Sequence, residues 1–219
     1  MTSLAPLAAD PTVGYRATKG EVSLVEVPEL LFASVDGHGA PGGAEFKCAL
    51  GALYPIAYGV RFALRERGID ERVAPLEALW WTETPLVDFK GALERGGYAP
   101  ADMDRWFWRA MLRLPRATDK VTLDSVRTAA IRRRPDSAST LESVAIGPWQ
   151  EGLCVQTLHV GPYSAELPTV QLLHSFIASH GYRAVGRHHE IYLGDPRRAA
   201  PERLRTILRQ PVELAAAGY

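Results

Sequence analysis

The feature that most constrains this chain is the stretch from Glu151 to Arg198, which has the pattern of one complete strand, helix and strand unit. The run Leu153–Val160 is rich in β-favouring residues, which predicts a strand. The pair Gly161-Pro162 ends this strand, because glycine permits a sharp turn and proline cannot extend a hydrogen-bonded ladder.

A helix is predicted after this turn. It begins near Pro168, because proline suits a first helical turn, where its missing N–H needs no partner. Gly181 is placed to end the helix. One face of the helix has the i, i+3, i+4, i+7 spacing of a buried stripe, formed by Val170, Leu173, His174 and Ile177.

The unit closes with a strand predicted at His188–Leu193. Side chains alternate along a strand, so two sets of residues point to opposite faces. One set is His188, Glu190 and Tyr192, and the other is His189, Ile191 and Leu193. Strand propensity does not explain a carboxylate in the middle of a strand, so Glu190 is a candidate functional residue.

Size and charge exclude several classes of protein. The chain of 219 residues could form one large domain or two small ones, and it is long enough for a substantial core. Its formal net charge of zero argues against nucleic acid as the main partner, and the basic run Arg132–Arg134 fits a solvated helix end. The two cysteines are too few for a disulfide framework.

Targeting signals are not recognisable in the sequence. The first residues, MTSLAPLAADP, lack a basic start and have prolines that interrupt any apolar segment, which is unlike a signal peptide. No apolar run approaches the length needed to span a membrane. We therefore expect a cytoplasmic protein with no membrane partner.

The first half of the chain has a similar order of elements. Strands are predicted at Val22–Val27 and Leu30–Val35, separated by Pro28 and followed by a glycine-rich turn. A helix is predicted from Phe46 to Gly68, in which Pro55 should produce a kink or a break. The run Val73–Trp81, apolar apart from one glutamate, is a further strand candidate.

This order suggests an internal repeat. Aligning VAPLEALWW with GRHHEIYLG places Glu77 on Glu190, and Gly68 falls near Gly181. We therefore predict a single α+β domain over residues 1–219, with two tandem strand-helix-strand-strand repeats at about 20–116 and 142–212. A repeat of this kind predicts a pseudo-twofold arrangement with a central ligand cleft between the halves.

Other elements are predicted between and after these units. The alternating run Asp104–Leu114 predicts a half-buried strand, with its tryptophans in the core. A helix capped by Thr122 should end before Pro135, and the polar run Ser137–Thr140 should form a hinge. A last short helix is predicted around Leu204, Ile207 and Leu208.

Each of the two glutamates has a functional and a structural interpretation. Glu190, close to aromatic residues, would be partly desolvated, which raises the pKa of a carboxyl and makes it a better proton acceptor near neutral pH. Alternatively, Glu190 pairs with Arg187 or Arg197. Glu166 lies just ahead of a helix, where a carboxylate often only binds the free N–H groups of the first turn.

Other kinds of catalytic site are not indicated. His188 and Glu190 share a strand face, but no further His or Cys spacing completes a metal-ligand set, so we expect no metal. Nucleophile-elbow, dinucleotide-binding and phosphate-binding motifs are absent from the sequence, and we expect no cofactor. Cys48 and Cys154 are expected to be buried thiols.

Aromatic residues are concentrated in a chain of this size and could bind a flat ligand by stacking. Of the consecutive pair Trp80 and Trp81, one should face away from the core contacts of the other. The candidate substrate-binding residues are Tyr54, Trp80, Trp81, Trp108, Tyr163, Tyr192 and His188.

Four strings carry a resemblance to a known family: LEALWW, EGLCVQTLHVGPY, HHEIYLGDPRR and LRTILRQPV, in that order. They resemble the GyrI-like small-molecule-binding proteins, and most of all the stand-alone subfamily of cyclopropanoid cyclopropyl hydrolases. The resemblance implies a GyrI-like or SOUL-like fold with an antiparallel sheet and an aromatic cleft. It also implies hydrolytic opening of the strained ring in cyclopropylpyrroloindole-type DNA-alkylating antibiotics.

The resemblance assigns the reaction to two glutamates, one after the GPY turn and one in HHEIYL, which match Glu166 and Glu190. It leaves open which of them is the base. Two other functions remain as alternatives, namely sequestration of flat or cationic drugs without turnover, and binding of a protein partner such as DNA gyrase.

Overall fold

A computed structural model describes residues 14–83 and 103–215 of the chain. The N-terminal stretch MTSLAPLAADP and residues 84–102 of the first predicted repeat lie outside the described residues. The strands are β1 (Ser23–His38), β2 (Leu76–Trp81), β3 (Phe107–Arg113), β4 (Ala145–Val160), β5 (Tyr182–Ala184), β6 (His188–Tyr192) and β7 (Arg205–Leu214). The α-helices are α1 (Ala44–Glu66), α2 (Lys120–Arg133), α3 (Ala138–Ser143) and α4 (Leu167–Ser179).

The chain divides into two compact units. The central unit is Leu30–Trp149, and the terminal unit comprises the described parts of 1–29 and 150–219. Within each unit the strand pairings are antiparallel, which confirms the predicted α+β class.

In the central unit the order is β1, α1, β2 and β3, and β3 lies between the other two strands. Met111 of β3 is paired with Ser34 of β1 on one side and with Glu77 of β2 on the other. Helix α1 packs against β3, and its Phe46 ring contacts the ring of Trp108. The predicted order of elements is confirmed here.

The terminal unit repeats this order with β4, α4, β5 or β6, and β7. Strand β7 pairs with β4, β5 and β6, so that Leu208 is paired with Thr157 of β4 and with Glu190 of β6. Apolar residues of α4 and of the adjacent strands form a common core of Val155, Leu173, Ile177 and Val212. The bounds of the two internal repeats, about 20–116 and 142–212, stay a prediction.

Prolines disturb the strands and helices less than the sequence pattern predicts. The two strands expected on either side of Pro28 are one continuous strand, β1. Proline removes only one donor, and a strand tolerates that loss where the donor is not needed by a neighbour. Helix α1 also continues through Pro55, because buried residues on both sides of it, Leu53 and Val60 among them, hold the helix by packing.

The prediction of a short helix around Leu204, Ile207 and Leu208 is wrong. A short 3₁₀ turn at Pro201–Arg203 is followed by β7, in which Ile207 and Leu208 are both fully buried. A strand covered on both faces has a continuous apolar run, which periodicity alone does not distinguish from a buried helix.

Two further local predictions need correction. Asp119, and not Thr122, caps α2, because the Asp119 carboxylate accepts a hydrogen bond from the Thr122 N–H at 2.8 Å. The polar run Ser137–Thr140 is not an open hinge but part of a 3₁₀ turn and of α3, which the buried Leu141 holds in place. The helix end at Arg132–Arg134 is exposed, as predicted.

The two cysteines differ in their surroundings. Cys154 is buried on β4, as expected, and burial raises the pKa of its thiol. Cys48 is exposed on α1, so the expectation of a buried thiol is wrong there. Within residues 14–83 and 103–215, none of the helices has the length and apolar character needed to cross a bilayer.

The assignment of Asp119 as the N-terminal cap of α2 can be tested by substitution. Asp119→Ala should lower the free energy of unfolding, because the first turn loses its acceptor. Asp119→Asn is the matched control, since it also loses the exposed ion pair with Arg67 but keeps a capping oxygen, and it should be nearly neutral. Urea denaturation of the two variants measures the difference; equal losses would contradict the cap assignment.

Candidate active site

The predicted alternation along β6 is confirmed. His189 and Ile191 are buried on one face, while His188, Glu190 and Tyr192 lie on the other and are partly exposed. The side chain of Glu190 is only 13% exposed. The side chain of Glu190 is therefore largely removed from water but still accessible to a ligand.

Glu166 is brought to the same side of the sheet by the turn after β4. A 3₁₀ turn at Tyr163–Ala165 leads into α4, and the backbone carbonyl of Glu166 accepts hydrogen bonds from the N–H groups of Thr169 at 2.8 Å and Val170 at 3.0 Å. Since α4 packs on Val155, which shares a sheet face with Thr157, the helix covers the face that carries Glu190.

The side chain of Glu166 does not act as a helix cap. It makes no capping hydrogen bond at the start of α4, although its residue directly precedes the helix. Glu166 is 8% exposed, and among the described residues its Oε1 atom is buried without a hydrogen-bond partner. The contacts of Glu166 therefore do not support the interpretation that its carboxylate only caps the first turn of α4.

The two carboxyl groups interact electrostatically. Burial raises the pKa of Glu166, the charge of Glu190 raises it further, and the hydroxyl of Thr206 opposes the rise. Burial also raises the pKa of Glu190, opposed by a hydrogen bond from Tyr192 and by the electrostatic effect of His189. Because burial and repulsion both favour the neutral form, the pair retains a proton near neutral pH.

Two tyrosines accompany this carboxyl pair. The rings of Tyr163 and Tyr192 meet edge to face, with centroids 5.7 Å apart. Burial and then the charges of Glu166, Glu190 and Asp195 raise the pKa of Tyr163 to about 12, so its phenol remains neutral. Tyr163 is nevertheless 38% exposed, which leaves part of its ring available to an aromatic ligand.

His188 is a neutral neighbour of Glu190. Burial first, and then nearby His174 and His189, lower the pKa of His188 to about 3. Its Nε2 atom lies 3.8 Å from Glu190 Oε1, which is too long for a hydrogen bond. Arg197, one of the two arginines predicted as partners of Glu190, forms an ion pair with Asp195 at 2.9 Å, and the pairing of Glu190 with Arg187 stays a prediction. In the described part of the chain, no group of three or more His, Cys, Asp or Glu side chains is arranged to hold a metal ion.

A buried polar row on the opposite face of the same strands was not predicted from the sequence. The carboxylate of Glu151 accepts from His189 Nδ1 at 2.9 Å and from Arg209 Nη1 at 2.8 Å, while Arg209 Nε donates to Gln156 at 3.0 Å. Strict alternation would place Glu151 and Gln156 on different faces. Gly152, with φ +78°, interrupts the alternation and turns Glu151 toward Gln156, as in a β-bulge.

Two other residues near the carboxyl pair were also missed. Burial raises the pKa of Glu166, and Thr206 of β7 opposes this rise. Thr206 was missed because the sequence pattern predicted a helix in this region, which gave no indication of the sheet face on which Thr206 lies. His159 of β4 is paired with Thr206 and lies on the same sheet face. The GPY turn that follows His159 was the available signal, because a turn held in one conformation needs contacts that fix it.

The remaining predicted site residues lie in the central unit. Trp108 is fully buried and Trp80 nearly so, and both rings contact Phe46. Trp81 points to the opposite face of β2 and stacks on Phe107, in agreement with the alternation expected for the two tryptophans. Tyr54 lies on α1 next to Tyr58, with ring centroids 6.3 Å apart. That Tyr54, Trp80, Trp81 and Trp108 contact a substrate stays a prediction.

Comparison with known proteins adds a family to this geometry. The sequence model of the GyrI-like small molecule binding domain matches residues 124–213. An uncharacterized conserved protein from Listeria innocua is 36% identical, with a TM-score of 0.79, and the match covers 91% of this chain and 95% of that chain. The chain belongs to the GyrI-like family.

Other solved structures are similar to this GyrI-like chain. A hydrolase from Listeria innocua is 34% identical, with a TM-score of 0.75, over 91% of this chain and 95% of that one. The C-terminal domain of EcmrR is 13% identical, with a TM-score of 0.54, over 89% of this chain and 98% of that one, which shows a similar fold alone. Comparison with curated proteins finds no match.

The raised pKa of Glu166 predicts a dependence of stability on pH. The folded state binds the proton more tightly than the unfolded state, so the free energy of unfolding falls as the pH rises above the ordinary carboxyl range. Each unit of raised pKa corresponds to about 1.4 kcal/mol. Glu166→Gln, which cannot ionise, should therefore show a shallower decrease of stability between about pH 5 and pH 8.

Denaturation at several pH values measures this slope. The matched control is Glu202→Gln, which removes a carboxylate from an exposed turn of the same unit and should keep the wild-type slope. A Glu166→Gln variant with an unchanged slope would contradict the raised pKa of Glu166, which comes first from burial and then from the charge of Glu190.

Proposed function

We propose that this protein is a hydrolase that opens the strained cyclopropane ring of cyclopropylpyrroloindole-type DNA-alkylating compounds by addition of water. The observation that carries the proposal is the buried carboxyl pair of Glu166 and Glu190, with the rings of Tyr163 and Tyr192 beside it. The hydrolase from Listeria innocua, similar over most of its length, supports a hydrolytic reaction. Such an enzyme would destroy the alkylating agent before it reaches DNA.

The reaction needs one proton acceptor and one proton donor. The oxygen of water forms a bond to the exposed methylene carbon, and the bond between that carbon and the ring system breaks. The released electron pair moves through the conjugated dienone to its carbonyl oxygen, which takes a proton and becomes a phenol. One proton leaves the water and one arrives at the phenol, so no cofactor or oxidant is consumed.

The surroundings of the two carboxyls favour different roles. Glu190 receives a hydrogen bond from Tyr192, which stabilises its charged form, so we assign it as the base that accepts the proton of water. The charged form of Glu166 is less stable than that of Glu190, because the Oε1 atom of Glu166 is buried without a hydrogen-bond partner among the described residues. We assign Glu166 as the group that holds the proton and supplies it to the developing phenol.

Neighbouring rings would bind and orient the flat substrate. The partly exposed ring of Tyr163 provides a stacking surface, and Tyr192 fixes its position through their edge-to-face contact. His188, neutral and close to Glu190, can contribute a hydrogen bond to the substrate. Proximity in a water-poor site supplies much of the rate of such a reaction.

Incubation of the purified protein with a cyclopropylpyrroloindole should give a product heavier by one water, as measured by mass spectrometry. Glu190→Gln and Glu166→Gln should each lower kcat/KM by at least about 100-fold, because each removes a proton-transfer group. Glu202→Gln, in an exposed turn of the same unit, is the control and should keep the wild-type rate. Full activity in both site variants would refute the assignment.

The pH dependence of kcat/KM should be bell-shaped. The rate rises as Glu190 loses its proton and falls as Glu166 loses its proton, because the active form carries a single proton on the pair. Burial and repulsion raise both pKa values, so the rising limb should lie above the ordinary range of a glutamate. A rate that rises within the ordinary carboxyl range would contradict the desolvation of Glu190.

A binding protein without turnover is the second candidate function. It is favoured by the family match, which describes a small molecule binding domain, and by a buried carboxylate that could pair with a cationic ligand. In this case the compound would bind tightly to the wild-type protein and be recovered unchanged. Mass spectrometry of the recovered ligand therefore separates the two functions.

A further inference from the structure

His159 connects the strand before the GPY turn to the helix after it. The residue lies at the end of β4 and is 5% exposed. Its Nδ1 atom lies 3.0 Å from the hydroxyl of Thr169, on the first turn of α4. Its Nε2 atom lies 3.2 Å from the backbone carbonyl of Pro162, in the turn itself.

These two contacts determine the tautomer of His159. A carbonyl oxygen only accepts hydrogen bonds, so Nε2 carries the hydrogen and donates it to Pro162. Nδ1 is then the acceptor for the hydroxyl of Thr169. Burial lowers the pKa of His159, the hydrogen bond to Pro162 opposes this shift, and Lys19 lowers the pKa further, so the imidazole stays neutral and both hydrogen bonds keep this direction.

The two partners of His159 lie on either side of Glu166. Pro162 is four residues before Glu166 and Thr169 is three residues after it. Within this segment, the N–H of Thr169 donates to the carbonyl of Glu166 at 2.8 Å, and the N–H of Glu166 donates to the carbonyl of Tyr163 at 3.2 Å. One imidazole therefore holds both ends of the short segment that carries the carboxyl.

The turn leaves little room for another arrangement. Gly161 has φ +145°, a conformation that other residues rarely adopt, and a Cβ atom there would lie 3.3 Å from His159 Nε2. His159 is also paired across the sheet with Thr206, which lies close to the carboxyl of Glu166. The imidazole and the carboxyl are thus parts of one packed cluster on the same sheet face.

We propose that His159 is a positioning residue, which holds Glu166 beside Glu190 by binding Pro162 and Thr169 at the two ends of the intervening segment. It does not touch the reacting atoms and acts through these two contacts. The predicted loss of activity rests on the proposed hydrolase function, whereas the interaction between the two carboxyls can be measured without any substrate. Among the described residues of the terminal unit, Glu190 on β6 and Tyr163 in the turn are titratable groups that interact electrostatically with Glu166.

The test compares four variants of the full chain. His159→Leu removes both hydrogen bonds, and Thr169→Val removes only the bond to α4 while it preserves the shape of the side chain. Thr169→Ser restores the hydroxyl and serves as the conservative rescue. His180→Gln is the matched control, because it removes an exposed histidine of the same helix region whose contacts are with Phe176 and Ser179.

The first measurement is a carboxyl titration by NMR on protein labelled with carbon-13 at the glutamate side chains, with Glu166→Gln used to assign the signal. In His159→Leu and Thr169→Val the titration of Glu166 should move to lower pH, by about one unit or more, because the carboxyl moves away from Glu190 and gains water. Thr169→Ser and His180→Gln should titrate as the wild type does.

The second measurement is kcat/KM as a function of pH. We expect a loss of about 100-fold in His159→Leu and about 10-fold in Thr169→Val, with the falling limb moved to lower pH in both. A variant that only loses stability would keep the wild-type limbs. If His159→Leu does not fold, Thr169→Val decides the question alone.

The outcomes separate the two proposals. An unchanged titration of Glu166 in folded Thr169→Val or His159→Leu protein overturns the role of His159. A shifted titration in these variants, together with a wild-type protein that gives no hydrated product, supports the role of His159 and refutes the hydrolase function instead.

Discussion

The terminal unit depends on the burial of two carboxyl groups on one face of its sheet. Two buried carboxylates that repel each other are costly in a poorly solvated site, so the folded chain tolerates the pair only if it retains a proton. This requirement accounts for the phenol that donates to Glu190 and for the absence of a capping role for the side chain of Glu166. It also gives the pair a donor and an acceptor at the same pH, which is what addition of water to a strained ring requires.

Local patterns in the sequence predicted the elements that carry this pair. The alternation in HHEIY predicted which residues of β6 share a face with Glu190, and the apolar spacing after Pro168 predicted α4 within a few residues. Both patterns are strong because the side-chain period of a strand or a helix is fixed by its backbone. The approximate position of Glu166 before the helix followed from the same reasoning, although its lack of a capping bond did not.

Features that depend on distant parts of the chain could not be predicted. Strand β7 has an apolar run that fits a helix equally well, and only its partners on both sides show it to be a strand. The continuity of β1 through Pro28 depends on which backbone donors the neighbouring strands need. His159 and Glu151 each bind residues that lie on other elements, and the bulge at Gly152 reverses the face on which Glu151 falls. No single stretch of sequence contains that information.

The buried polar row also links the early segment at Gly14 and Arg16 to strands β4 and β7. The guanidinium of Arg209 donates to the carbonyl of Gly14, and the side-chain amide of Gln156 donates to the carbonyl of Arg16 at 2.7 Å. During synthesis the early segment therefore leaves the ribosome long before the strand that provides its partner. The central unit has all its residues available first, whereas the terminal unit must wait until β7 has been synthesised, because Arg209, buried near Gly14, is the last member of its network to be made.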